Sequence, residues 1–371
     1  MNFRRSSLFG LLLIAAASFS PQAHAAVTDP LTGLPCKPEL AKRHVLGVMV
    51  ENTRPARPQS GLDKAGVVVE AYVEGGVTRY MGLFVSTDAD VIGPVRSTRQ
   101  FYASFVHQLH AWLGHCWAKK TGYATIKKLK VQNIDGVRIG KGRTPYFRVS
   151  TRVQPHNLYT STTDLRRLAH TRGWKDTTLA PMFTFKDDAP VTKRPKEQYV
   201  GLDYSGRTYL AEFRYDPTSN SYKRFLSTKP HRIGSSKTKA KKDVLNGAPH
   251  TRGSSKQLSP KNLVVLIMKQ RVVDKGGVLE ITTVGKGKAL YFIDGQKSEG
   301  QWVRKSENSR YQLLDTNGKP VLLNRGQTWI SVIDNPSKVH TELIAKYHTR
   351  KAGKKHARTS THKTKTLTSQ R

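Results

Sequence analysis

The chain has 371 residues, 37% of them hydrophobic, and a formal net charge of +37 from 63 Lys and Arg against 26 Asp and Glu. That length and apolar fraction support a packed core and suggest two domains, which sets aside a fibrous or wholly disordered chain. The charge says little about the fold and points to polyanionic partners.

Arg4 and Arg5 precede an apolar run from Leu8 to Phe19, followed by Pro21 and the small-residue pattern Ala23-His24-Ala25. This is the plan of a secretory signal peptide, residues 1–25, cut after Ala25. The run is about a dozen residues, too short for a spanning helix, and no later segment supplies the roughly 18 apolar residues that a transmembrane span needs. The Arg-Arg-Ser-Ser-Leu start matches a twin-arginine signal only in part, so general export is the simpler reading. Without Arg4 and Arg5 the charge is still about +35. The expected location is the periplasm or the extracellular envelope. Expected partners there are anionic envelope polymers such as teichoic-type polymers or lipopolysaccharide, anionic lipid head groups, or an envelope protein. Cys36 and Cys116 would meet an oxidising compartment, and a disulfide between them would close a loop of about 80 residues, worth about 4.5 kcal/mol. Two free thiols are the alternative.

After an exposed lead-in, "TDPLTGLPC", the run "HVLGVMVE" (44–51) reads as a buried strand. It gives way to a Pro- and Gly-bearing loop that carries Arg54, Arg57, Gln59 and Ser60. Residues 67–73 and 77–85 are β-branched and aromatic runs separated by Glu74-Gly75-Gly76, a hairpin signal in which the glycines serve positive φ. Period two would put Glu70, Tyr72 and Glu74 on one strand face. A turn through "DADVIGPVRS" leads to helical spacing of Phe101, Phe105, Val106, Leu109 and Leu113. Ser97 or Thr98 is the expected N-cap, leaving Arg96 at the helix entrance. Further helices fit "GYATIKKLK" and "STTDLRRLAHTRG", the latter stopped by Gly173. Between them "RTPYFRVSTRVQPHNLY" is basic and aromatic and carries His156 and Asn157.

Beyond residue 190 short β-like runs recur, among them "YLAEFRY", "NLVVLIM", "KALYFI" and "QTWISVI", with glycine-bearing turns between. Residues 228–257 form an expected basic loop with Asp243 as its single acid, and the acid-free tail 348–371 has nothing to bury and is expected to be disordered. The fold expected is an α/β (α+β) domain with a mixed sheet over 27–190, then a mostly antiparallel β domain over 191–340.

Glu51, Glu70 and Glu74 could supply a general acid and base, as glycoside hydrolysis requires, and His156 could move a proton. Equally, Glu70 or Glu74 could pair with Arg79 across the hairpin. The glycine pair has neither P-loop nor dinucleotide spacing, so no cofactor is expected. Arg54, Arg57, Arg79, Arg96 and Arg99 fall in or beside loops; if those loops converge, they line an anion pocket with Gln59, Ser60, Glu74, His156 and Asn157. His107, His110 and His115 lack the nearby Cys, Asp or Glu of a zinc site, so no metal is expected. No fold signature for specific nucleic-acid binding is present. Nothing in the sequence speaks to oligomeric state.

Several motifs occur together in order: "PLTG", "ARPQSGL", "EAYVEGGVTRY", "IGPVRSTR" and "PHNLY", then "KNLVVL", "GKGKALYFIDGQKSEGQWVR" and "GQTWI". Over most of residues 29–335 the chain resembles the YerB-like family of bacterial envelope proteins. The resemblance implies an exported two-domain protein with an α/β first domain and brings no reaction with it. Many relatives are lipoproteins, whereas Cys36 here follows Leu34-Pro35 far past the apolar run, and "GHCWAKKTG" is more basic than the family's glycine-rich segment. The expected function is a non-enzymatic envelope binding or scaffold protein with an arginine-lined anion cleft and a polymer-binding basic tail. The alternative is a cell-wall polymer hydrolase using Glu70 or Glu74.

Overall fold

A computed structural model describes residues 27–139, 144–231 and 256–348. The expected signal peptide, residues 232–255 of the basic loop and the tail beyond 348 lie outside the described residues.

The first half supplies β1 (Leu46–Glu51), β2 (Val67–Tyr72), β3 (Thr78–Phe84), β4 (Trp112–His115) and β5 (Asn133–Asp135). Every residue of β1, β2 and β3 is buried, as continuous apolar runs covered on both faces should be. β3 is antiparallel to β1 and β2, while β1, β4 and β5 run parallel, so the expected mixed sheet is present.

The second half extends this same sheet rather than building a separate platform. It adds β6 (Asn262–Ile267), β7 (Gly285–Ile293), β8 (Gln296–Arg304), β9 (Gln312–Asp315) and β10 (Thr328–Ile333). The order across the ten strands is β9-β8-β7-β6-β10-β2-β3-β1-β4-β5. β6 to β9 pair antiparallel, as expected, but β10 is parallel to both β6 and β2 and joins the halves. Its sequence explains the position: Trp329 and Ile333 enter one core, Ile330 and Val332 the other, so the strand needs cover on both faces.

A second, five-stranded antiparallel sheet packs on one face of the first, with Phe213 and Tyr222 in the same core as Tyr80 and Trp329. On the opposite face lies α1 (Gln100–His107), burying Phe101, Tyr102, Phe105 and Val106, with Ile126 of α2 (Lys120–Lys128) in the same core. α3 (Thr162–Thr171) packs Leu165 and Ala169 into the core of the second sheet's side. Ser161 caps α3, its Oγ accepting from the Asp164 amide at 3.0 Å, and Gly173 ends it at φ 75°.

The hairpin turn falls at Glu74–Gly76 with φ of 68° and 71° at the glycines. A Cβ on Gly76 would also meet Ser205 at 2.9 Å. Because β2 stops at Tyr72, Glu74 belongs to the turn and does not share the strand face of Glu70 and Tyr72. The expected cap of α1 also fails: Arg99 occupies the N-cap position with no side-chain cap bond. Residues 94–98 are instead a strap across the ends of β1 and β4, through Glu51 N to Pro94 O at 2.9 Å, Cys116 N to Arg96 O at 3.1 Å and Thr98 N to Trp117 O at 3.1 Å.

Cys36 and Cys116 are free thiols, which corrects the expected disulfide. Cys36 lies by Asp29 and Ser86, just past β3, and Cys116 just past β4. Phe84 aligns with Leu46 and Leu46 with Trp112, so the cysteines sit at opposite edges of the sheet. At about 3.3 Å per residue they are roughly 20 Å apart, against the ~7 Å limit for bridged Cα atoms. Leu31, ahead of Cys36, is in the core, so Cys36 is an internal residue of the fold.

Candidate functional site

The carboxyl ends of β1, β2, β4 and β10 share one edge of the sheet, the place where open α/β sheets hold ligands. Glu51 and Asn52 leave the end of β1 toward opposite faces. Glu51 follows Met49, on the side covered by α1; Asn52 follows Val50, toward the second sheet.

On the α1 side, Glu51 is buried and its oxygens are divided among three partners. Oε1 accepts from Thr53 Oγ1 at 2.7 Å and lies 3.3 Å from Arg96 Nε, while Oε2 meets His156 Nδ1 at 3.0 Å. Arg79 stands directly opposite Glu51 in the β1–β3 register, yet its guanidinium donates from Nη1 to Ser97 O at 2.7 Å. Burial, and then the charge of Arg99, push the Arg79 pKa down to about 10. Arg99 itself forks to Glu74 at 2.6 and 2.7 Å, with Lys119 Nζ 3.8 Å from the same carboxylate. Burial alone would raise the Glu74 pKa, but the Arg99 hydrogen bond and charge outweigh it and hold it below the usual glutamate value. The expected pairing of Glu70 or Glu74 with Arg79 is therefore replaced by Glu74 with Arg99 and Glu70 with Arg224.

On the other face a buried polar network joins the two halves. Asn52 Nδ2 donates to Thr78 Oγ1 at 2.7 Å, and Thr78 Oγ1 donates to Glu70 Oε1 at 2.8 Å. Glu70 Oε2 accepts from Arg224 Nη2 at 2.8 Å and from Trp329 Nε1 at 3.2 Å. Arg224 Nη1 donates to His231 Nδ1, and His231 Nε2 donates to Gln59 Oε1 at 2.8 Å. Burial, then the Arg224 charge, keep His231 neutral with a pKa well below the usual histidine value. Gln59 Nε2 closes the chain on Glu51 O at 2.9 Å. Glu70 has no exposed surface and both oxygens occupied, so it has no route to a substrate.

Beside this network a cleft of about 530 Å³ opens between residues 54–58 and the second sheet, lined in part by Arg54, Arg57, Arg207, Ser227, Lys229 and His231. Arg57 is fixed there by Asn52 Oδ1 at 3.1 Å, Ser227 Oγ at 3.1 Å, Asn52 O at 2.9 Å and Thr208 O at 3.0 Å. Arg54 Nη2 donates to Thr208 Oγ1 at 3.0 Å. Among the described residues no lining residue is acidic.

The predicted residues thus divide between two faces instead of meeting in one pocket. Glu74, Arg79, Arg96, Arg99 and His156 gather on the α1 side; Arg54, Arg57 and Gln59 face the second sheet. Ser60 is buried with its amide on Gly93 O at 2.8 Å, and Asn157 is occupied by Arg148 at 2.7 Å and Val149 O at 3.1 Å. Sequence reasoning missed Arg207 and Lys229, and also Arg224 and His231, whose partners Glu70 and Gln59 lie 154 and 172 residues away. The polar pair Glu51-Asn52 closing an apolar strand was a usable signal for the edge.

Residues 31–175 match the domain described as "Protein of unknown function (DUF3048) N-terminal domain", and residues 200–330 match the corresponding C-terminal domain. The chain belongs to the YerB-like DUF3048 family. It is 28% identical over 314 residues to "Putative lipoprotein YerB" of Bacillus subtilis (strain 168), covering 82% of this chain and 85% of that protein. The crystal structure of the YerB protein from Bacillus subtilis shares the fold at TM-score 0.70 and 24% identity, covering 85% of this chain and 99% of that one. In DUF3048 terms the charged side chains of the α1-side cluster all come from the N-terminal domain, with Gly276 of the C-terminal domain accepting from Lys119 Nζ at 2.9 Å, whereas the cleft needs Arg54 and Arg57 from one domain and Arg207 and Lys229 from the other.

Proposed function

We propose that this DUF3048 protein is an exported, envelope-associated binding protein that holds an anionic polymer in the cleft between its two family domains. One observation carries the reading: Arg54, Arg57, Arg207 and Lys229 converge on a cleft that has no acidic lining among the described residues. A guanidinium already fixed by its own hydrogen bonds, as Arg57 is, has little freedom left to lose and offers forked donors to phosphate or carboxylate oxygens. The compartment is supported by the signal pattern of residues 1–25 and by the name of the Bacillus subtilis relative. The charge of +37, concentrated in part in residues 228–257 and 348–371, adds a salt-sensitive attraction to polyanions.

The test is retention of the mature protein on purified anionic envelope polymer, eluted with increasing salt. The double variant Arg54→Ala/Arg207→Ala should bind about tenfold more weakly, ~1.4 kcal/mol. Deletion of residues 348–371 should lower the salt needed for release. Equal affinity of the double variant and wild type would sink the cleft, and unchanged elution after the deletion would remove the tail from the account.

A further inference from the structure

The cost of taking a buried arginine's charge out of water must be offset, and among the described residues Arg152, Arg166 and Arg304 meet it with carbonyl and hydroxyl oxygens. What sets Arg79 apart is the group of further cations around it at the sheet edge. Arg79 is only 6% exposed and has no carboxylate oxygen within 4 Å among the described residues. The reason is local: Thr53, Arg96 and His156 claim the oxygens of Glu51, and Arg99 claims those of Glu74. The Nε of Arg79 is buried without a partner. Around it Arg79, Arg96, Arg99 and Lys119 face Glu51 and Glu74, an excess of two positive charges. Arg96 and His156 are both partly exposed at this edge, and His156, having committed Nδ1 to Glu51, turns Nε2 away from it.

We propose that this cluster is a site for a single tetrahedral oxyanion, the phosphoryl group of inorganic phosphate or a phosphomonoester, with Arg79 as its buried floor and Arg96 and His156 at its mouth. The donors come from three separate segments, β3, the strap 94–98 and the loop that ends at Asn157; His156, whose Nδ1–H donates to the Glu51 carboxylate, offers Nε2–H as an imidazolium. Donors on separate segments suit an anion with oxygens in three dimensions, whereas a planar carboxylate is satisfied by one arginine fork. The site lies on the opposite face from the cleft and within the N-terminal domain, so it does not rest on the polymer reading.

The experiment is isothermal titration of the mature protein with inorganic phosphate, with methyl phosphate, acetate and chloride as separate arms. It is paired with the imidazole NMR resonances of His156, assigned with His156→Gln. The expected result is one phosphate per chain, a His156 shift on binding, and methyl phosphate accepted as well. Arg96→Ala should weaken binding at least tenfold, Arg79→Met should abolish it, and Arg54→Ala/Arg207→Ala should leave it within twofold. Circular dichroism checks the fold of Arg79→Met; if that variant does not fold, the partly exposed Arg96 carries the test. The proposal is overturned by any of three results. One is no heat and no His156 shift at ~10 mM phosphate, about tenfold above a millimolar dissociation constant. Another is acetate binding as tightly as phosphate. The third is affinity that falls in the cleft variant and survives in Arg96→Ala.

Discussion

Arg79 and Arg224 are two buried arginines on opposite faces of one sheet, and their surroundings differ in kind. Arg224 has Glu70 at 2.8 Å, and although burial works against its charge, Tyr80 and Glu70 outweigh it and hold its pKa above the usual arginine value. Among the described residues Arg79 has no carboxylate within 4 Å, and burial with Arg99 lowers its pKa to about 10. A paired buried charge is part of the scaffold, since losing either partner strands the other. Arg166 and Arg304 show that a buried arginine can also be held by carbonyl and hydroxyl oxygens alone, so what distinguishes Arg79 is that Arg96, Arg99 and Lys119 crowd the same edge. The difference also separates the glutamates: Glu70 serves the join between family domains, and Glu51 orients His156 and Arg96 at the edge.

The sharpest way to break this comparison is to break the pair. Glu70→Gln or Arg224→Met should each cost about 3–5 kcal/mol in denaturant unfolding, because each leaves an uncompensated charge or donor in the core. The double variant should recover most of that loss, a coupling that two independent surface residues would not show.

The next effect is a pH slope. His231, His115 and His44 all have pKa values lowered by burial, so the unfolded chain takes up protons first as pH falls below the ordinary histidine value of about 6.5. Stability from keeping them neutral is complete above that value and is lost as pH falls toward the folded-state pKa. Each contributes up to about 1.4 kcal/mol per pH unit in that window. His231→Gln should flatten the curve by one histidine's share between pH 6.5 and 5, checked by urea unfolding at a series of pH values. A slope unchanged by the substitution would mean that burial and the Arg224 charge do not hold His231 neutral in the folded chain.

A smaller effect tests whether the network acts as a unit. Thr78→Val keeps the volume but removes the hydroxyl that links Asn52 to Glu70, and should cost roughly 1–2 kcal/mol. In the Arg224→Met background the cost should fall, since Glu70 is then free to shift toward solvent or a new donor.

What the sequence revealed follows the range of each interaction. The apolar run at 44–51, the Glu74-Gly75-Gly76 turn and the Gly173 stop of α3 are set by neighbours a few residues away, and all are present. The position of β10 between β2 and β6 is set by partners some 65 and 260 residues distant, and nothing local announces it. The same holds for the site. Arg79, Arg96 and Arg99 were readable as cations in or beside loops and His156 as a loop imidazole, but Glu74 choosing Arg99 over Arg79 depends on the turn carrying it beyond the strand. Arg224 was unreadable because its partner lies 154 residues earlier in the chain. The proposed disulfide failed for the same reason, since spacing along the chain does not report which edge of a sheet each cysteine reaches.

The smallest expected effect is the most discriminating. Arg79 is as deeply buried as a core residue, so if its charge served the scaffold, Arg79→Met should be as costly as Arg224→Met. Met retains the packing of the aliphatic stem against the α1-side core and removes a charge that has no carboxylate partner among the described residues. In phosphate-free buffer the unfolding free energy should therefore change by less than about 1 kcal/mol, or rise. Wild type should gain stability as phosphate is added and the variant should not, because only a ligand that binds the folded chain raises its apparent stability. A loss of several kcal/mol in phosphate-free buffer would make Arg79 a second Arg224, held by partners of its own, and the contrast between the two faces would disappear.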